Sequence, residues 1–151
     1  MDIDAPDAPA TIVKTRSYNR EIMLFTSNSA MAGWGFHWVL QLRARGYEHW
    51  VILSDGADNC NGMHAKWDAF EKAHGEPALS CIYTSEPWKH EGWVQWRPHR
   101  GKVLDSMHAV YTMWASRWWA CLKLLEQDTN VLSLDVDAVM LSAIYAVLRA
   151  P

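Results

Sequence analysis

The sequence has no run of about 18 apolar residues, the length that an α-helix needs to span a bilayer. Its first residues, 1–10, are acidic and rich in Asp, Ala and Pro, so they have neither the basic start nor the apolar centre of a signal peptide. Positive charge is also scarce, because 14 Lys and Arg residues face 17 Asp and Glu residues. The basic stripe of typical nucleic-acid-binding domains is missing. We therefore expect neither a nucleic-acid partner nor a membrane segment in this chain.

Cysteine is rare as well, with Cys60, Cys81 and Cys121 in 151 residues. An odd count at wide spacing is neither a disulfide framework nor a zinc knuckle. Cys121 lies on the apolar stripe of a predicted helix, which indicates packing in the core. Cys60 and Cys81 can pair only if the fold brings them together, and the sequence leaves that question open.

Apolar runs and helical patterns alternate along the rest of the chain. Four short apolar runs are typical of strands buried on both faces: 21–26, 49–54, 79–83 and 131–135. Helical patterns occupy 32–45, 63–74, 104–127 and 141–149, and Gly46 supplies a stop for the first of them. This order predicts an α/β fold with a mainly parallel sheet flanked by helices. Residues 1–19 are expected to be a mobile leader ahead of a domain that spans 20–151.

The longest helical pattern, 104–127, repeats apolar residues at steps of three and four, which predicts one stripe facing the core. The residues of this stripe are Leu104, Met107, Tyr111, Trp114, Trp118, Cys121, Leu122 and Leu125. A long aromatic segment, 86–102, precedes this helix. Its tryptophans fit stacking on a sugar, core packing or an exposed interface equally well.

Two aspartates one residue apart, Asp135 and Asp137, end the last apolar run. Because side chains alternate along a strand, both project to the same side if the strand continues through them. Two neighbouring carboxylates repel each other when ionised, and a divalent cation removes that repulsion. Oxygen ligands favour Mg²⁺ or Mn²⁺. Ligands of open α/β sheets bind beyond the carboxyl ends of the strands, where this pair lies.

The segment from Ser106 to Asp137 resembles the nucleotide-diphospho-sugar transferase family of GT-A glycosyltransferases. The resemblance consists of a helix that bears Arg117 within 114–118, the start of an apolar strand at 130–132, and the Asp-x-Asp motif formed by Asp135 and Asp137. The strand–helix–strand region 22–55 is also similar to the first βαβ unit of the family. The resemblance implies a GT-A-like Rossmann-type fold and metal-dependent transfer of a sugar from a nucleotide-diphosphate donor to a glycan or protein acceptor.

The resemblance also implies roles for individual residues. Asp137 would ligate Mn²⁺ or Mg²⁺, Asp135 would contact the metal or the nucleotide ribose, and Arg117 would lie near the diphosphate. The remaining nucleotide contacts that it implies are Thr26, Asn28 and Asp55. For a full-length eukaryotic relative it implies the Golgi lumen.

The chain departs from the family pattern around the motif. Asp128 and Thr129 stand where family members often carry a glycine and an aromatic residue, and 140–143 lacks the usual aromatic residue and Asp-Pro pair. In the family the acceptor site and the catalytic apparatus follow the motif, whereas only 138–151 follow it here. We therefore expect a fold that is incomplete at its C-terminus and a poor catalyst on its own.

Three other interpretations stay open at this point. The two aspartates can be solvated residues at a strand end, with Arg117 a surface cation stacked on tryptophan. The segment 134–139 also resembles the opening motif of haloacid-dehalogenase-like phosphatases, in which Asp135 would be the nucleophile and Asp137 the general acid with Mg²⁺. That motif opens its domain, whereas most of the fold precedes it here. The third alternative is a non-catalytic fragment that binds a nucleotide sugar weakly.

Overall fold

A computed structural model describes residues 1–27, 30–74, 79–85 and 102–135. The helices are α1 (Ala8–Arg16), α2 (Ala32–Arg43), α3 (Ala57–His74) and α4 (Lys102–Leu125). The strands are β1 (Glu21–Thr26), β2 (Trp50–Leu53), β3 (Cys81–Ile82) and β4 (Asn130–Asp135). Each strand lies within one of the four apolar runs of the sequence or extends it by one residue.

The strands form a parallel sheet in the order β3-β2-β1-β4. β1 is central, and Ile22, Met23, Leu24 and Phe25 are all fully buried. Such a continuous apolar run is what a parallel strand covered on both faces requires. The predicted α/β fold with a parallel sheet flanked by helices is confirmed.

Helices cover both faces of the sheet. On one face, α2 and α3 bury Trp38, Leu42 and Trp67 against Met23 and Phe25 of β1. The opposite face packs α1 and α4 against the sheet, and its core members include Ile12, Ile22, Leu24, Val51 and Leu124. The alternation of β1 side chains between the two cores follows from the period of two in a strand.

Gly46 ends α2 as the sequence predicts. Its φ of 79° is left-handed, a region that glycine adopts without the steric cost of a Cβ. The Gly46 N–H donates to the Arg43 carbonyl at 2.8 Å, and the Tyr47 N–H donates to the Leu42 carbonyl at 3.0 Å. These bonds satisfy carbonyls that the helix end would otherwise leave unpaired.

The N-terminal segment differs from the mobile leader expected of residues 1–19. α1 lies within it, and Ile3 and Ile12 are buried in the core that α1 and α4 share. The Ile3 N–H donates to the Tyr83 carbonyl at 2.8 Å, which joins this segment to the end of β3. The composition of 1–10 pointed to a solvated leader, but two isoleucines bury enough apolar surface to fix the segment on the sheet.

The face of α4 that packs on the sheet also differs from the expected stripe. Ser116, Ala120 and Leu124, spaced by four residues, are buried together with Cys121. Trp114, Trp118, Leu122 and Leu125, four members of the predicted stripe, are exposed, and Trp118 is 70% exposed. Small residues allow the helix to lie close to the sheet, whereas a stripe of tryptophans would hold the two apart. The assignment of Cys121 to the core is confirmed.

A disulfide bond joins Cys60 near the start of α3 to Cys81 of β3, with 5.9 Å between the Cα atoms. The fold brings the two residues together because β3 pairs with β2, and α3 connects these strands. The disulfide bond between Cys60 and Cys81, which the sequence left undecided, is therefore formed.

Among the described residues, no helix has both the length and the apolar character to cross a membrane.

Candidate functional site

The carboxyl ends of β1 and β4 meet at the point where the strand order reverses. From β1 the chain builds outward through β2 to β3, and α4 then returns it to the other side of β1 as β4. Thr26 at the end of β1 and Asp135 at the end of β4 are Cα partners in the parallel ladder. In open α/β sheets this reversal leaves a crevice outside the strand ends, where ligands bind.

Arg117 of α4 donates a hydrogen bond from Nη1 to Oδ1 of Asp135 and forms an ion pair with it. The helix positions the guanidinium because Ser116 and Ala120, on either side of Arg117 in sequence, are buried against the sheet. The Arg117 side chain is 16% exposed, and that of Asp135 is 62% exposed. The structure thus brings together a largely buried cation and a largely solvated carboxylate at the switch point.

The end of β1 is held by a close approach of α2. A Cβ on Gly35 would lie 3.1 Å from Oγ of Ser27, so a larger residue there would require Ser27 or the helix to shift by a few tenths of an ångström. Ser27 is buried, its N–H donates to the Leu53 carbonyl at 2.9 Å, and its Oγ donates to the Met31 carbonyl at 3.3 Å. Ser27 lies within the loop 26–28 that the resemblance placed beside the nucleotide, whereas Gly35 was not singled out from the sequence. The available signal was a glycine inside a helical pattern, which often marks close backbone packing.

Asp55 lies on the same sheet edge but not beside Asp135. It follows β2, is exposed, and accepts a hydrogen bond from Ser54 Oγ at 3.4 Å. Because β1 separates β2 from β4, the two aspartates sit two strand spacings apart, roughly 10 Å sideways. Thr26, Arg117 and Asp135 are therefore clustered, and Asp55 flanks them. Two further predicted site residues, Asn28 and Asp137, lie outside the described residues.

The described part of the site supplies one hard oxygen ligand for a metal. Among the described residues, no group of three or more His, Cys, Asp or Glu side chains could hold an ion. Asp135 nevertheless fits Mg²⁺ or Mn²⁺ chemically, because such ions are often held by one or two carboxylates together with the phosphates of a substrate. The donor chemistry at the switch point fits an ion that arrives with a phosphate-bearing ligand.

Asp4 organises the neighbouring end of β3. Its Oδ2 accepts from Thr84 Oγ1 at 2.5 Å and from the Ser85 N–H at 2.9 Å, while its Oδ1 accepts from Trp119 Nε1 at 2.7 Å. Three elements therefore converge on one carboxylate, which ties the N-terminal segment and β3 to α4. No local pattern in the sequence signals contacts between residues that lie 80 or more positions apart.

The comparisons with known proteins add no assignment to this geometry. No protein-family model matches the chain, and no curated protein and no solved structure matches it.

Proposed function

We propose that the chain binds a nucleotide-diphosphate sugar at the crevice between β1 and β4 and serves metal-dependent glycosyl transfer. The observation that carries this proposal is the Arg117–Asp135 pair at the topological switch point of a parallel sheet. Open α/β sheets bind their ligands at this place. The finer GT-A-like classification rests on the sequence resemblance and belongs to the same proposal.

Arg117 would bind the diphosphate. A guanidinium offers planar, paired N–H donors that match phosphate oxygens, and it stays charged at every physiological pH. Its low exposure means that little water competes for those donors. As the sugar–phosphate bond breaks, negative charge develops on the leaving diphosphate, and a fixed cation beside it stabilises that charge.

Asp135 would hold the metal together with Asp137. A Mn²⁺ or Mg²⁺ ion bound there would neutralise the charge of the departing diphosphate. Thr26 would border the nucleotide because its Cα is paired with that of Asp135 in the ladder. Asp55, two strand spacings away on the same rim, would reach the ribose or base rather than the diphosphate.

The test is calorimetric titration of the folded chain with UDP and with GDP, each with and without Mn²⁺. We expect metal-dependent binding that is lost in Asp135→Asn and in Asp137→Asn. Asp68→Asn, which changes an exposed carboxylate on α3, is the matched control and should bind as the parent does. Circular dichroism establishes that each variant is folded.

A folded parent chain that binds neither nucleotide in the presence of Mn²⁺ would overturn the proposal. Hydrolysis of p-nitrophenyl phosphate that disappears in Asp135→Asn would point instead to the phosphatase alternative. The topology argues against that alternative, because three strands precede β4 whereas the phosphatase motif opens its domain.

A further inference from the structure

In the described part of the chain, the sheet ends at β4, which has β1 on one side and the edge of the sheet on the other. The Asn130 N–H donates to the Arg20 carbonyl at 2.7 Å, on the β1 side. Because successive residues of a strand present their backbone groups to alternate sides, those of Val131, Ser133 and Asp135 point to the open edge. β4 therefore offers a row of backbone donors and acceptors with which a further strand can pair.

An apolar stripe on α4 runs beside this edge. Its members are Trp118, which is 70% exposed, and Leu122 and Leu125, which are 45% and 52% exposed. Trp118 and Leu125 lie roughly 100° and 80° around the helix from Arg117, the residue that reaches β4, whereas the buried Ala120 lies on the other side of Arg117. The stripe therefore faces solvent on the side of α4 that lies toward the open edge of β4.

The stripe is too small to hold a partner by itself. Its three side chains expose on the order of 300–400 Å² together, whereas a stable interface buries about 800 Å² on each partner. The edge of β4, six residues and roughly 20 Å long, provides further contact area directly beside the stripe. A partner that covers both surfaces must present a strand edge and an apolar helix face in the same relative position.

A second copy of the chain presents both surfaces in that position. A two-fold axis perpendicular to the sheet makes the two β4 strands antiparallel and keeps the two α4 helices on the same face. Since α4 packs on both β1 and β4, its axis lies about half a strand spacing inside β4. The two α4 axes would then lie two strand spacings apart, roughly 10 Å, which is the distance at which helices pack.

The register that pairs the whole edge is centred on Ser133. Ser133 then faces Ser133 of the second copy and Val131 faces Asp135, so the outward backbone groups of three residues in each strand are paired. Leu132 lies opposite Leu134 on the face that α2 and α3 cover, where both side chains are half-buried in the single chain. β4 carries one charged residue, Asp135, so this register brings no like charges opposite each other.

We propose that two copies of this chain associate through β4 and α4 into a two-fold dimer, in which the sheet continues from one copy to the other and the α4 stripe is buried. Interfaces of standard size have affinities from micromolar to picomolar, and the backbone bonds of this one replace bonds to water, so we expect a roughly micromolar dissociation constant. Below that concentration the chain is monomeric and Trp118 is solvated. The proposal does not depend on the function proposed for the β1–β4 crevice.

The test is analytical ultracentrifugation of the full chain at about 100 μM and at about 0.1 μM, on either side of the expected dissociation constant. We expect twice the mass of 17.3 kDa at the higher concentration and 17.3 kDa at the lower one. Trp118→Lys, which places a charge in the apolar contact, should weaken dimerisation about tenfold or more. Ser133→Pro removes an N–H that points to the edge and should weaken it as well, whereas Ser133→Ala keeps that N–H and should dimerise as the parent does.

Trp34→Lys is the control for Trp118→Lys, because Trp34 is 62% exposed but lies on α2, on the opposite face of the sheet. It should dimerise as the parent does, and circular dichroism establishes that each variant is folded. Asp135→Asn keeps its backbone groups and should also dimerise, so failure of the nucleotide site is distinguishable from failure of the dimer.

A folded parent chain that stays monomeric at about 100 μM would overturn the proposal. Acrylamide quenching of the parent against Trp118→Phe would then separate a stripe that the chain itself covers from one left for a different protein. A dimer that persists unchanged in Trp118→Lys or in Ser133→Pro would also contradict the proposal, because it would form through another surface.

Discussion

Arg117 and Asp135 are bound to each other across the interface between α4 and β4. The family resemblance implies the diphosphate for Arg117 and the metal or the ribose for Asp135, and the structure places both residues at the same point of the sheet edge. The guanidinium of Arg117 and the carboxylate of Asp135 each supply the countercharge of the other. A ligand that takes up the guanidinium releases the carboxylate, and a cation that binds the carboxylate releases the guanidinium. By thermodynamic linkage, either ligand should strengthen the binding of the other.

Replacing Arg117 by Met should therefore have opposite effects on the two ligands. Nucleoside diphosphate affinity should fall about tenfold or more, because a cation that faces the phosphates is lost. Affinity for Mn²⁺ alone should rise, because the ion no longer has to displace an ion pair from Asp135. Calorimetric titration with UDP in the presence of Mn²⁺, and with Mn²⁺ by itself, measures both.

Lys123→Met is the matched control for Arg117→Met. Lys123 lies on the same helix, with its ammonium 4.8 Å from the centroid of the Trp119 ring. It should leave both affinities unchanged. A fall in Mn²⁺ affinity in Arg117→Met would contradict the competition between the metal and the ion pair.

The strands and their parallel arrangement were predictable because each strand is a short apolar run bounded by turn residues. The expectation that β4 is buried on both faces was wrong, since its residues are half-buried or exposed at the edge of the described sheet. The end of α2 was predictable because Gly46 takes a conformation that other residues rarely adopt. The edge of the sheet that carries the candidate site was predictable from the position of Asp135 at the end of a strand. The orientation of α4 did not follow from hydrophobicity, because its largest apolar residues point away from the sheet. Contacts such as those of Asp4 depend on the tertiary fold and leave no local pattern.

The orientation of α4 can be tested by comparing two of its residues. Leu124→Ala should destabilise the chain by about 2–5 kcal/mol, because it removes a fully buried side chain and leaves a cavity. Trp118→Gln should change the free energy of unfolding by only about 0.5 kcal/mol, because that ring is largely exposed. Chemical denaturation measures both. The reverse order of effects would support the stripe expected from the sequence.

The Cys60–Cys81 bond predicts a thiol count and a stability effect. Ellman titration of the unfolded chain should detect one thiol, that of Cys121, before reduction and all three afterwards. Closing a loop with a sequence separation of 21 should contribute about 3 kcal/mol to the free energy of unfolding. A Cys60→Ala/Cys81→Ala variant should be less stable by a similar amount and insensitive to dithiothreitol. Three thiols in the unreduced chain would show that the bond is not formed.

Asp4 should prove important for stability even though it lies in the segment expected to be a mobile leader. Asp4→Asn replaces an ionised acceptor that binds Thr84, Ser85 and Trp119, and hydrogen bonds to charged groups contribute about 1.5–3 kcal/mol each. We expect a loss of about 1–3 kcal/mol in chemical denaturation. The control is Asp7→Asn, since Asp7 makes no side-chain capping bond to α1. Equal effects of the two substitutions would mean that the N-terminal segment is not anchored through Asp4.

His49 should make stability fall as the pH drops below about 6.5. Burial lowers its pKa in the folded chain from the usual value of 6.5, with Glu21 opposing the shift, so the unfolded chain takes up the proton first. The contribution of His49 to the free energy of unfolding is therefore fully present above pH 6.5 and is lost as the pH falls toward the lowered pKa. His49→Gln should reduce the difference in melting temperature between about pH 7.5 and about pH 5. His64 has a pKa shifted in the same direction and contributes equally to both proteins. The control is His37→Gln, at an exposed position, which should keep the pH dependence of the parent. If His49→Gln also kept it, His49 would titrate alike in the folded and unfolded chains.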